Sequence, residues 1–306
     1  MRKPPPTTGD IFLAKKRSRA RIVRRVPVPS GMSGVAIHPS KRERRDAQQV
    51  LEERNLLIRR TIANRSLETH FQPIVNLRSG TVIGTEALSR FPDGPRRTPD
   101  VWFAEAASVG LGVDLEVTAV EMALAEIRSL PSELYLSLNA SVETIVSEDF
   151  RAVLDGVPAE RIVLELTEHT PVVNYREFAQ EIEWLRSAGV RLAVDDAGSG
   201  FSSFNHILNL KPDIIKLDIS LTRGIDKDPA RQALGRALLN FGLEAYRTTI
   251  VAEGIETAGE LETLRSLGCP SGQGFILGRP SRRVGPPLLL PATAPPGTAA
   301  PAGVGT

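Results

Sequence analysis

Cysteine is almost absent. Cys269 is the single one in 306 residues, so no disulfide can form within the chain, and a reducing compartment is the simplest setting. Long apolar runs are also missing: none approaches the ~20 residues that a membrane helix needs. The amino-terminal stretch is basic but lacks the apolar segment of a secretory leader, so the cytoplasm is the expected location. Histidine is scarce, with His38, His70, His169 and His206 the only four. No Gly-x-Gly-x-x-Gly follows the first apolar run, which weakens a dinucleotide-binding reading. What is present, 41% hydrophobic and 24% charged residues, is enough for a core without cross-links and excludes a wholly disordered chain.

The net charge of +2 hides an asymmetry. Residues 1–45 carry 13 Lys and Arg against two acids, and the remainder carries 25 basic and 34 acidic residues. A basic arm therefore precedes an acidic body. The arm holds Pro4-Pro5-Pro6, Pro27, Pro29, Gly31 and Gly34 without a steady period, which predicts disorder. Nucleic acid, anionic lipid or the body itself are partners its charge would suit, and a solvated tail is the simpler reading. Residues 284–306 are rich in Pro, Ala, Gly and Thr and uncharged, a second disordered tail. The expected organisation is an arm at 1–45, a leading helix at 46–66, a main domain at 67–283 and the tail at 284–306.

Within the main domain, short apolar runs alternate with helical patterns. Strands are expected at Phe71–Val75, Val82–Ser89, Leu134–Asn139, Ile162–Glu165, Leu192–Asp195, Ile214–Leu217, Thr249–Glu253 and near Gln273. Helical spacing marks residues 42–63, 101–109, 114–128, 174–188, 228–245 and 257–267. Eight strands with intervening helices predict an α/β fold, a (β/α)8 barrel, with an open doubly wound sheet as the alternative. The leading helix reads as one packed beside the barrel; a dimerising coiled segment is the other possibility, although it spans only about three heptads.

The informative feature is where polar residues fall on these strands. Glu86, Asn139, Glu165, the pair Asp195-Asp196, Lys216 and Glu253 each sit inside or at the end of an apolar strand. One such carboxylate is usually a helix cap or loop ion pair. Six strands each carrying an oxygen donor or a lysine are harder to explain that way, because isolated buried charges cost several kcal/mol unless paired or bound to metal. In a barrel the strand ends converge on one face. Five carboxylates and an amide gathered there would repel each other unless cations sat among them. Oxygen-only donors select hard ions, Mg2+ or Mn2+, and the histidines fall outside these strands, which disfavours zinc. Adjacent Asp195 and Asp196 could let one carboxylate bridge two ions, ~3.5–4 Å apart in the usual two-metal phosphoryl-transfer site.

Eight segments, in order, resemble the EAL domain family of cyclic di-GMP phosphodiesterases. They are Phe71-Gln72-Pro73-Ile74-Val75, Glu86-Ala87-Leu88-Ser89-Arg90, Leu138-Asn139-Ala140-Ser141, Glu165-Leu166-Thr167-Glu168, Asp195-Asp196-Ala197-Gly198-Ser199-Gly200, Ile215-Lys216-Leu217-Asp218, Ala252-Glu253-Gly254-Ile255-Glu256 and Gln273-Gly274-Phe275. The resemblance spans about residues 67–283. It implies a TIM-like barrel whose first strand is antiparallel to the rest, and hydrolysis of cyclic di-GMP to linear pGpG.

By motif position, the resemblance implies that Glu86, Asn139, Glu165 and Asp195 hold one ion. Asp195 then bridges to a second, held also by Asp196 and Glu253. Lys216 would orient the attacking water, and Glu253 is the family's proposed general base. Gln72, Arg90 and Gln273 would contact substrate. Glu168 would steady the loop expected at Ala197–Asn205, which in the family couples dimerisation to metal binding, so a homodimer is implied. One departure stands out: the family commonly has Phe where this chain has Ala197.

Simpler roles stand beside these. Lys216 could be an ion-pair partner of a nearby Asp, Arg90 could pair with a local acid, Gln72 could cap the barrel, and Glu168 and Glu256 could accept backbone hydrogen bonds. No synthase motif of the GGDEF kind is present. The expected activity is metal-dependent phosphodiester hydrolysis that lowers cyclic di-GMP signalling. The alternatives are a catalytically weak receptor for that nucleotide and a protein-docking module.

Overall fold

The computed structural model describes residues 41–93, 95–166, 172, 174–197, 201–242 and 248–283, the side chains of 41, 43, 44, 47 and 201–203 excepted. Contacts divide the chain into residues 1–46 and 47–306. Of the first unit, the described part is the start of α1 (Lys41–Asn64), where Arg42 and Asp46 pair at 3.9 Å.

The second unit is a closed eight-stranded barrel. After α1 come β1 (Glu68–Asn76), β2 (Val82–Arg90), α2 (Pro99–Ser108), α3 (Gly112–Ala125), β3 (Tyr135–Asn139), α4 (Val142–Ile145) and α5 (Glu148–Val153). A 3-10 turn (Ala159–Arg161) leads into β4 (Ile162–Leu166), α6 (Tyr175–Glu181), α7 (Glu183–Ser187), β5 (Arg191–Ala197) and α8 (Phe201–Leu210). β6 (Ile214–Leu217), α9 (Ile219–Thr222), α10 (Pro229–Phe241), β7 (Thr249–Ala252), α11 (Ala258–Ser266) and β8 (Ser271–Gly272) complete it. β1 is antiparallel to both its neighbours, β2 and β8, and every other pair is parallel.

Local chemistry sets the element ends. Asp228 caps α10 by accepting from the Ala230 and Arg231 amides, with Pro229 in the first turn where its missing N–H costs nothing. Thr257 and Glu260 cap α11 reciprocally. Asn76 Oδ1 accepts from the Arg78 and Ser79 amides and turns the chain between β1 and β2.

Some expectations need adjusting. The helical pattern at 174–188 is two helices that meet at Ile182. The loop expected to run to Asn205 gives way to α8 at Phe201; Gly198 and Gly200 suggested a longer loop, but helical spacing of Phe204, Ile207 and Leu208 resumes directly after. The helices α4, α5 and α9 have four to six residues, too few to show a period.

Strand alternation sorts the core. Outward residues such as Leu136, Leu138, Leu164 and Leu192 pack on one group of helices, and Val194, Ile215, Leu217 and Ile250 on another. Inward, Ile74, Tyr135, Val163, Ala193, Ile214 and Val251 form an apolar plug. Gly84 is required here: a Cβ would stand 2.5 Å from the Tyr135 ring, over which the Arg191 guanidinium lies at 4.6 Å. A separate cluster seats Ile58 of α1 with Leu67, Trp102, Ala106, Leu111 and Leu115. The amino-terminal half of α1 keeps Val50 and Leu51 exposed.

Candidate active site

A strand repeats its facing every two residues. Two positions from residues of the apolar plug lie Gln72, Ser137, Glu165, Asp195, Lys216 and Glu253, and two positions from Gly84 and Ser271 lie Glu86 and Gln273. Each strand, or the residue just past its end, thus supplies one polar side chain to a single layer. β1 contributes Gln72 at the same rim because it runs the other way; it pairs in register with Glu86.

These eight side chains form one connected network. Lys216 is its hub. Its Nζ lies 2.6 Å from Glu253, 2.8 Å from Glu165, 3.4 Å from Asp195 and 3.5 Å from Glu86. Glu86 accepts from Asn139 Nδ2 at 2.9 Å and from Gln273 Nε2 at 2.7 Å. Gln273 also donates to Gln72 Oε1 at 3.0 Å, and Gln72 donates to the Gly278 carbonyl. Ser137 donates to Glu165 Oε1 at 2.5 Å. Gly274 permits the Gln273 segment to lie on the turn at Ile255, whose carbonyl a Cβ would meet at 2.1 Å.

Asp196 belongs by a different route. Simple alternation would turn it away from Asp195. The register between β5 and β6 shifts between Val194 and Ala197, and Asp196 takes φ +54°. This bulge re-aims the side chain, and Asp195, Asp196 and Glu253 present oxygens that all lie within 4.8 Å of one another. A non-glycine residue at positive φ stores strain that the surroundings must hold.

Protonation follows from crowding. Burial pulls Lys216 down, but Asp195, Glu165, Glu253 and Glu86 together hold it well above the usual lysine range. Burial and the charges of Glu86 and Asp195 push Glu165 up to about 8, against the pull of Lys216. Burial also raises Glu253, again against Lys216. Glu86 is held below the ordinary range because Lys216, Gln273 and Asn139 outweigh its burial. Without metal, the layer keeps protons that a carboxylate in water would lose.

The rim opens into a cleft of 940 Å3, bounded by Glu86, Arg90, Asn139 and Asp196 on the barrel and by Phe103 and Val113 on the helices. Arg90 donates to the Ser89 carbonyl at 2.8 Å and pairs with no acid among the described residues. Lys216 is an ion-pair partner of four acids rather than of one. Gln72 lies inside the network rather than only capping it. Glu256 pairs with Arg223 at the surface. Ala197 is fully buried in the apolar belt with Ile207 and Leu217. Glu168, His169 and the loop at 198–200 lie outside the described residues. Cys269 is buried, its thiol pushed up to about 12 by burial and so unreactive. Ser137 was missed by sequence reasoning: a serine two residues before a more conspicuous Asn gives no signal of its own.

The donor set suits hard divalent ions. Five carboxylates and one amide face a single ammonium, and the Oε1 of buried Gln273 has no hydrogen-bond partner. Asn139 commits its Nδ2 to Glu86, so a cation would meet its Oδ1.

The EAL domain profile matches residues 57–280. The chain belongs to the EAL domain family. The probable cyclic di-GMP phosphodiesterase PdeB of Escherichia coli (strain K12) is 32% identical over 234 residues, covering 70% of this chain and 43% of PdeB. An uncharacterized signaling protein of Caulobacter vibrioides is 32% identical over 253 residues, covering 79% of this chain and 31% of that protein. The chain thus spans less than half the length of either. Among solved structures, the EAL barrel is similar to the PaMucR phosphodiesterase in its c-di-GMP complex, with TM-score 0.66 and 28% identity, covering 75% of this chain and 97% of that one. It is also similar to Klebsiella pneumoniae BlrP1 in a manganese/cy-diGMP complex, with TM-score 0.62 and 28% identity, covering 71% and 56%.

Proposed function

We propose that this EAL domain is a metal-dependent phosphodiesterase that hydrolyses cyclic di-GMP to linear pGpG. The observation that carries the reading is the excess of buried oxygen donors around Lys216, at the mouth of a cleft that also holds Arg90. Glu86, Asn139, Glu165 and Asp195 would hold one Mg2+ or Mn2+; Asp195, Asp196 and Glu253 would hold a second. Bound there, the ions supply Lewis acidity, lowering the pKa of an attacking water and countering charge on the phosphate oxygens.

The chain's own residues do the rest. Arg90 can fork onto a phosphate oxygen, and Gln72 and Gln273 contact the substrate beside the rim. Lys216 orients the water and steadies negative charge on it. Glu253, 2.6 Å from Lys216, takes the proton. The water oxygen bonds to phosphorus, the P–O3′ bond breaks, and the proton returns to the departing 3′ oxygen, giving the 5′-phosphate of pGpG. The barrel at 67–283 with its leading helix at 46–66 is the part assigned to this work. Glu168 as a loop brace, a homodimer and a cytoplasmic setting complete the reading.

The test is purified protein with cyclic di-GMP and Mg2+ or Mn2+, with product followed by chromatography. pGpG is expected. Nucleotide binding without product would instead make the domain a receptor, and neither binding nor product a docking module.

A further inference from the structure

The layer has a member to which no role has been given. Ser137 is 1% exposed and is the contribution of β3 to the ring of eight. It faces Glu165, also 1% exposed, whose two oxygens are divided: Oε2 takes the Lys216 ammonium at 2.8 Å and Oε1 takes the Ser137 hydroxyl at 2.5 Å. We propose that Ser137 is a positioning residue that fixes the Glu165 carboxylate in the orientation from which it can share a divalent ion. The proposal rests on the metal-dependent reading above.

The physical argument concerns the plane of the carboxylate. Rotation about the last bond of a glutamate is broad and soft, so a buried carboxylate adopts whatever plane its donors impose. With Ser137 on one oxygen and Lys216 on the other, the plane is pinned from two strands, β3 and β6. Remove the hydroxyl and Oε1 becomes a buried acceptor with no donor, which is costly. The nearest relief is to turn both oxygens onto the Lys216 ammonium. That geometry favours the ion pair over any cation. Groups that orient metal ligands in this way typically change affinity or activity 10–100-fold when lost.

The experiment titrates Mn2+ into metal-free wild-type, Ser137→Ala and Ser137→Thr protein, reading bound against free Mn2+ by electron paramagnetic resonance. The melting temperature of each is recorded without metal. Ser137→Ala should remain folded and bind Mn2+ roughly 10–100-fold more weakly. Its kcat for cyclic di-GMP should fall while KM stays unchanged. Ser137→Thr, which keeps the hydroxyl, should bind close to wild type. Mn2+ affinity in Ser137→Ala within twofold of wild type would overturn the proposal. So would a Thr variant as weak as the Ala variant, since the hydroxyl would then not be the cause. Wild-type protein that takes up no Mn2+ would overturn the metal reading and this proposal with it, whereas Mn2+ binding unaffected by Ser137→Ala sinks the proposal alone.

Discussion

Replacing Lys216 by Met removes the one positive charge from a ring of carboxylates and keeps most of the side-chain volume. The four contacts run from 2.6 to 3.5 Å. At an effective dielectric of about 20, each is worth about 5–6 kcal/mol in gross attraction. Most of that is offset by the desolvation of Lys216 and by repulsion among the acids. Breaking a buried ion pair by deleting one partner costs about 3–5 kcal/mol net. In a domain of this size each kcal/mol moves the midpoint by about 2–4 °C, so metal-free Lys216→Met should melt on the order of 10 °C below wild type at pH 8. The gap should narrow at pH 6, where protons on the carboxylates replace the lost ammonium. Added Mn2+ should raise the melting temperature of the variant more than that of wild type, because no ammonium competes for the same oxygens. Turnover should be lost all the same. Thermal unfolding with and without Mn2+ at the two pH values reads all of this. A metal-free midpoint within about 2 °C of wild type, or a smaller Mn2+ shift in the variant, would refute the electrostatic account of the ring.

The metal-free protein itself should lose stability as pH rises. Glu165 has its native value pushed up to about 8 against an ordinary 4.5, so between those values the native state holds a proton that the unfolded chain has released. Stability therefore falls across that window, by at most about 5 kcal/mol from this group; urea midpoints measured from pH 5 to 8.5 should decline, and saturating Mn2+ should remove the decline. Glu86→Ala should abolish pGpG formation through loss of a ligand, and wild-type rates in that variant would count against the site. Ca2+ should fail to support turnover, because its looser coordination misplaces the water; equal rates in Ca2+ and Mn2+ would contradict this. Gly84→Ala should destabilise the barrel by about 1–3 kcal/mol through contact with the Tyr135 ring, and the double variant with Tyr135→Leu should recover part of it; a neutral single variant would show that the floor is not tightly packed.

Six of the strands were legible as short apolar runs with a polar residue inside or at the end, and the antiparallel first strand followed from the family resemblance. The same pattern exposed Glu86, Glu165, Lys216 and Glu253. Asp196 was legible as one of a pair, but not the bulge that turns it inward, since backbone at positive φ leaves no mark in an Asp-Asp sequence. Ser137 was hidden by its ordinariness, and Gly84 by the fact that its necessity lies in a ring 51 residues away. The start of α8 was obscured by glycines that suggested loop. The gaps at Asp196, Ser137 and Gly84 share a cause: each depends on what another strand brings alongside, which a linear pattern does not record.

The most direct test of the oxygen cage is a count. Metal-free protein, saturated with Mn2+ in the presence of cyclic di-GMP, should hold two ions per chain, and Asp196→Ala should hold one. A wild-type chain that binds none, or a variant that still holds two, would contradict the assignment of this rim as a paired-cation site.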